Sequence, residues 1–141
     1  MSWSWLAFWR LFRRGPKVEQ ARRLFPFQRE RLEWQFFQAA SASGKPRGLL
    51  WKAVEWGTSV EFARERSSGR LAALVGVTIQ FEAVAGGDME GLPAVANLRN
   101  ASAVFFFHGD RWHTNGKTVF NLNPDEALAH FQNQYERLSL G

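Results

Sequence analysis

The sequence contains no cysteine, which excludes disulfides, thiolate nucleophiles and cysteine-ligated zinc sites. It also lacks, at its start, the run of about 20 apolar residues that a membrane-spanning helix needs. A secretory signal is not expected, because the first basic residues follow the apolar ones and no small-residue cleavage site appears. We therefore expect a cytoplasmic protein, with peripheral attachment to the inner membrane face left open by the N-terminus.

Tyrosine is nearly absent, with one residue against 13 Phe and 7 Trp. Aromatic rings bury large areas and stabilise packed interiors. A chain of 141 residues is long enough to form one domain with a substantial core. We therefore expect a core rich in rings rather than an aromatic ligand cage.

Acidic residues are scarce in the first third of the chain. Residues 1–48 hold ten Lys and Arg against three Glu, a net charge of +7, while the remainder has a net charge of −2. A basic N-terminus on a nearly neutral body predicts contact with an anionic surface, either lipid or nucleic acid. The simpler alternative is a solvated helix face.

The first 16 residues form a basic aromatic arm, within the stretch "MSWSWLAFWRLFRRGPK". On a helix, one face would carry four rings at i, i+3, i+4, i+7 spacing: Trp5, Phe8, Trp9 and Phe12. The opposite side and its margin would carry Arg10, Arg14 and Arg13. Gly15-Pro16 is expected to end this element. The pattern is typical of a helix at a membrane interface; docking on the protein's own sheet or on a partner, and a disordered tail, are the alternatives.

Residues 17–141 are expected to form one domain that starts with a second helical segment. This segment is interrupted at Pro26, where a new helix would begin and run to about Gly44. Its main apolar face would consist of Leu32, Phe36, Ala39 and Ala40. Further apolar residues extend that face: Phe27, Trp34 and Phe37. We expect a curved sheet to cover most of the circumference of this helix.

Strands are predicted after the helix. Residues 48–56 and 59–66 read as two strands, followed by a turn at Ser67-Ser68-Gly69. Residues 71–83 alternate strictly, which predicts a long strand with one buried face, and Gly76 in its middle predicts a bulge or a close contact. Residues 85–101 read as an irregular loop.

The stretch "SAVFFFHGDRWHT" predicts two strands around Gly109-Asp110, a type II′ turn. The expected cross-strand pairs are His108 with Arg111, Phe107 with Trp112, and Phe106 with His113. His113 and Trp112 should then point to opposite faces of the sheet.

Asn115-Gly116 is a second turn signal, followed by a short extended run. Asn123, with Pro124 and two acidic residues after it, predicts the start of a C-terminal helix. An apolar stripe is expected along that helix: Leu128, Phe131, Tyr135 and Leu138.

Candidate catalytic residues are few. His113 could act as a base with Asp110 or Glu55 as its helper, but no Ser or Cys nucleophile is placed with it. His108 and His113 lack the third ligand that a zinc site needs. "TNGKT" lacks the glycine spacing of a phosphate-binding loop. We expect no metal and no cofactor, and we regard an enzyme as the less favoured hypothesis.

The order of elements resembles cystatin-like and NTF2-like rolls over residues 18–138, in layout and not in motif. "SGKPRGLLW" and "TNGKTVFNLNPDEAL" are similar to stretches in small, uncharacterised bacterial proteins. The resemblance implies an α+β fold in which a curved antiparallel sheet of four to five strands wraps on a long N-terminal helix, with a short C-terminal helix. It also implies a pocket at the open end of the sheet, here lined by Trp51, Trp56, Trp112 and His113.

Three functions are considered on this basis. The first is a non-enzymatic binding or adaptor domain, tethered through its N-terminal arm to an anionic membrane surface or a protein partner. The second is a small NTF2-like enzyme with a pocket centred on His113. The third is nucleic-acid binding, which is disfavoured because positive charge is confined to the N-terminal third and no recognition signature appears. A homodimer is left open.

Overall fold

The computed structural model describes the chain from residue 2 to residue 138, and its side chains from residue 17 onward. The fold is α+β, as the sequence predicts. Its elements in chain order are α1 (Ser2–Ala42), β1 (Leu49–Glu65), β2 (Leu71–Ala83), a 3-10 turn (Pro93–Ala96), β3 (Arg99–His108), β4 (Arg111–His113), β5 (Thr118–Phe120), α2 (Pro124–His130) and β6 (Tyr135–Arg137).

Helix α1 is one continuous element of 41 residues, about 60 Å long. The predicted end at Gly15-Pro16 and the predicted new start at Pro26 are therefore wrong. Pro26 is exposed, while Phe25 and Leu32 on either side of it are buried against the sheet. Proline removes one backbone hydrogen bond from a helix. Here the burial of Phe25 and Leu32, on the turns before and after Pro26, keeps the helix continuous.

The sheet is antiparallel with the order β4-β3-β2-β1-β6, and β5 pairs with β3 beside β4. The β3–β4 hairpin has the predicted register, with Phe106 opposite His113 and Phe107 opposite Trp112. Gly109 has a φ of 66°, as the first central position of the predicted turn requires.

Strand β1 is a single strand rather than the two strands predicted at 48–56 and 59–66. Its register against β2 shifts between Trp51 and Ala53 and again between Trp56 and Val60. The second shift contains Gly57, where an added β-carbon would lie 3.1 Å from the Gly76 carbonyl oxygen. Of the two alternatives predicted for Gly76, the structure shows a close contact, which is with Gly57. The bulge lies on β1, between Trp56 and Val60. Bulges let a long strand bend without ending it.

Three layers form around the sheet, because α1 and α2 pack on its opposite faces. The α1 side buries alternate residues of β2, from Leu71 to Phe81. The α2 side buries Ala72 and Leu74, together with Val104 and Leu128. The alternation along β2 is therefore confirmed, but this part of the strand is buried on both faces and not on one.

The sheet covers less of the surface of α1 than the sequence predicts. Leu32 and Phe36 are fully buried, but Phe27 is 86% exposed and Trp34 is 66% exposed. An open sheet contacts only one side of a helix, so the opposite side remains free of the protein's own core. The prediction that the sheet covers most of the circumference is wrong.

Helix α2 begins where the sequence predicts. The Asn123 side chain accepts a hydrogen bond from the Glu126 N–H, and the Glu126 side chain accepts one from the Asn123 N–H. The helix ends at His130, so the predicted apolar stripe does not continue along it. Tyr135 instead lies in β6, opposite Glu65 of β1, because the chain turns after Phe131 and adds a strand to the sheet.

Candidate binding surface

The three tryptophans of the predicted pocket lie between the sheet and α1. Trp112 is fully buried, and its Nε1 donates a hydrogen bond to the Ala21 carbonyl at 2.8 Å. Phe36 contacts Trp51 and Trp56 edge-on, with ring centroids 5.9 and 5.3 Å apart. These rings fill the interior that the roll resemblance assigns to a ligand.

His113 lies on the opposite face of the sheet. It is exposed, and its ring centroid lies 6.1 Å from that of His108. The two histidines line a shallow cavity of about 260 Å³ with Arg70, Phe106, Thr114 and Asn115. The predicted pocket of three tryptophans and His113 is therefore not assembled, because alternate residues of β4 point to opposite faces.

The weak catalytic candidates do not converge either. Asp110 is an exposed turn residue. Glu55 pairs with Thr78 of β2, which is opposite Asn100 of β3, whereas His113 is opposite Phe106. Asn100 and Phe106 are six residues apart along β3, which is a distance of about 20 Å. Glu55 is therefore out of reach of His113.

One cluster of ionic groups lies beside the histidines. The Glu65 carboxylate accepts hydrogen bonds from the Ser68 hydroxyl and from Arg70, whose Nη2 lies 3.1 Å away. These bonds hold the pKa of Glu65 below its ordinary value. The Arg70 guanidinium also lies 3.9 Å from the centroid of the Phe106 ring. Arg70 is thus engaged by Glu65 and is only partly available to an anion in the histidine cavity.

A polar cleft of about 430 Å³ lies at the carboxyl end of α1. It brings Ser43 and Lys45, which follow α1, together with Asn115, Gly116 and Lys117 of the loop between β4 and β5. Trp51 borders this cleft and donates through Nε1 to the Lys45 carbonyl at 2.8 Å. The Lys117 ammonium, however, is held by the Tyr135 hydroxyl at 3.0 Å. Few charged groups therefore remain free to define a ligand in the cleft.

A groove of about 510 Å³ lies between α1 and β1. Its floor is apolar and its rim is basic, with three arginines and one glutamate. The lining residues are Phe25, Pro26, Val60, Phe62, Glu19, Arg22, Arg23 and Arg29. Such a groove can take an apolar group that carries an anionic end.

Two of the rim arginines are positioned by neighbours on α1. The Arg22 Nη1 lies 3.3 Å from Glu19, and its guanidinium lies 5.8 Å from the Phe62 ring centroid. The Arg29 Nε lies 2.7 Å from Glu33, and its Nη2 donates to the Gly57 carbonyl. The sequence predictions missed this groove. The charge count of the sequence included its basic residues, but the sequence did not indicate that β1 packs beside α1.

None of the helices in the described part of the chain is long and apolar enough to cross a membrane. Within that same part, no three His, Cys, Asp or Glu residues lie together as a metal site would require. No known family, curated protein or solved structure matches the chain.

Proposed function

We propose that the protein is a non-enzymatic binding or adaptor domain, held at an anionic membrane surface by the basic aromatic arm at the start of α1. The observation that carries the proposal is the distribution of charge among the layers. Helix α1 holds eight of the 18 basic residues and three of the 13 acidic ones. The rest of the molecule is nearly neutral, so a negatively charged surface attracts the α1 side.

The aromatic composition of the arm supports lipid as the surface. Trp5, Phe8, Trp9 and Phe12 provide apolar area that phosphates of a nucleic acid would not need, and Trp is favoured at headgroup depth. Arg10, Arg13 and Arg14 would lie near lipid phosphates. Two features support binding over catalysis: His113 has neither Asp110 nor Glu55 as a helper, and the predicted pocket is filled by tryptophans.

The test is flotation of the full chain with vesicles of phosphatidylcholine and phosphatidylglycerol, compared with phosphatidylcholine alone. We expect binding to the anionic vesicles that weakens as salt is added. The triple variant Arg10→Glu, Arg13→Glu, Arg14→Glu should bind at least about a hundredfold more weakly, since each basic residue near the surface contributes about 1 kcal/mol.

The matched control reverses three exposed charges on the body: Lys52→Glu, Arg99→Glu and Arg111→Glu. This variant has the same net charge as the arm variant. If both variants bind equally weakly, net charge alone governs the attachment and the arm has no special role. Equal flotation of the wild type and the arm variant removes the membrane proposal.

A further inference from the structure

Helix α1 has an outer row of residues that faces away from the sheet. All six are exposed, at spacings of three or four: Gln20, Arg23, Phe27, Glu30, Trp34 and Gln38. The buried row on the other side of the helix is Ala21, Phe25, Leu32, Phe36 and Ala40. Among the large apolar side chains of residues 17–138, Phe27 and Trp34 are the two most exposed.

The two rings lie seven residues apart, which places them on one side of the helix two turns from each other. Single exposed apolar residues are common in proteins, but two large rings in one exposed row indicate a contact surface. Arg23, one turn before Phe27, is also exposed. The row therefore combines two exposed rings with one basic side chain, Arg23, and one acidic side chain, Glu30, on a helix whose net charge is positive.

The arm and the outer row belong to the same helix, α1. A surface that binds the arm would therefore continue along α1 toward the exposed row between residues 20 and 38.

We propose that the outer row extends the membrane contact of the arm, so that α1 lies along an anionic bilayer with Phe27 and Trp34 at the boundary of headgroups and acyl chains. The sheet and α2 then face away from the lipid, and the groove rimmed by Arg23 opens at the membrane level. This inference rests on the proposed function. The inference adds to the proposed function an orientation of α1 on the membrane and two contact residues, Phe27 and Trp34.

The first experiment compares three double variants of the full chain on vesicles of phosphatidylcholine and phosphatidylglycerol. Phe27→Ser with Trp34→Ser should weaken binding about tenfold, because two rings leave the interface. Leu92→Ser with Leu98→Ser, an exposed apolar pair in the loop between β2 and β3, should bind like the wild type. Trp5→Ser with Trp9→Ser reports on the arm itself. Near-ultraviolet circular dichroism checks that each variant is folded.

The outcomes separate the inference from the proposed function. If the arm variant loses binding and the Phe27 and Trp34 variant does not, the arm alone holds the protein and the inference is overturned. If neither variant loses binding, both proposals fail. If the Phe27 and Trp34 variant keeps its lipid binding but has a lower mass in solution than the wild type, the row is an interface between copies of the chain, and the inference fails.

A second experiment uses Glu30, the one acidic residue in the row. Glu30→Lys should bind the same anionic vesicles several-fold more tightly than Glu82→Lys, which makes an identical charge change on an exposed position of β2. Equal affinities of the two variants would show that the outer row does not face the lipid.

Discussion

Gly116 lies where the loop between β4 and β5 passes against the carboxyl end of α1. It has a φ of 83°, which strongly favours glycine. An added β-carbon would lie 2.6 Å from the Ala40 nitrogen and 2.8 Å from the Ala39 carbonyl carbon. Glycine is therefore required at position 116 both for its backbone conformation and for the lack of space for a side chain. Both requirements hold the loop in place beside the polar cleft.

Gly116→Ala should lower the free energy of unfolding by about 3 kcal/mol, from left-handed backbone strain and the clash with α1. Gly86→Ala is the matched control, since Gly86 has a φ of 77° and open space around it. It should cost only about 1 kcal/mol. Urea denaturation measures both, and equal losses would show that the loop does not pack against α1 in this way.

Glu65 is the residue whose protonation should affect stability. Its pKa is lowered by the Ser68 hydroxyl bond and by Arg70. Because the folded pKa lies below the unfolded one, ionised Glu65 stabilises the fold above the ordinary pKa of 4.5. That contribution is lost as the pH falls through the lowered value.

Glu65→Gln should therefore be less stable than the wild type at neutral pH, and the difference should shrink as the pH falls below about 4.5. Denaturation at a series of pH values measures this difference. Glu82→Gln serves as a control on an exposed position of β2. A difference between Glu65→Gln and the wild type that stays constant from neutral to acid pH would contradict the assignment.

At the scale of elements, α1 shows how packing can override a local stop signal. The proline at position 26 predicts a boundary, and in isolation this interpretation is the better one. Phe25 contacts Phe105 and Trp112, and Leu32 and Phe36 are fully buried on the same face. These contacts on both sides of Pro26 hold the helix together.

Pro26→Ala tests whether the helix is continuous. In a continuous helix, alanine restores a backbone donor and removes a steric conflict, so the variant should be more stable by about 1 to 3 kcal/mol. Pro93→Ala, at the first turn of the 3-10 segment, should bring no such gain. If Pro26→Ala were neutral or destabilising, Pro26 would instead start a second helix.

At the scale of the whole molecule, the layers differ in both charge and exposure. The α1 layer is basic and presents exposed rings, while the two faces of the sheet are packed beneath α1 and α2. A polarised molecule of this kind has one side suited to an anionic surface. The proposed attachment therefore rests on the positive charge of the α1 layer together with the basic aromatic arm at its start.

The sequence by itself determined the α+β class, the long alternating strand, the register of the β3–β4 hairpin and the start of α2. These features depend on local chemistry: the period of two, the glycine at the turn and the Asn123 cap act within a few residues of each other. The positive N-terminal third was equally evident, because charge can be counted.

Tertiary structure alone decided the continuity of α1, the merging of two predicted strands into β1, and the filling of the predicted pocket by Trp51, Trp56 and Trp112. It also decided which rings of α1 are buried and which are exposed. Phe25 and Phe27 are the same residue type two positions apart, and only the location of the sheet distinguishes them. Burial depends on contacts between distant parts of the chain, which local patterns do not contain.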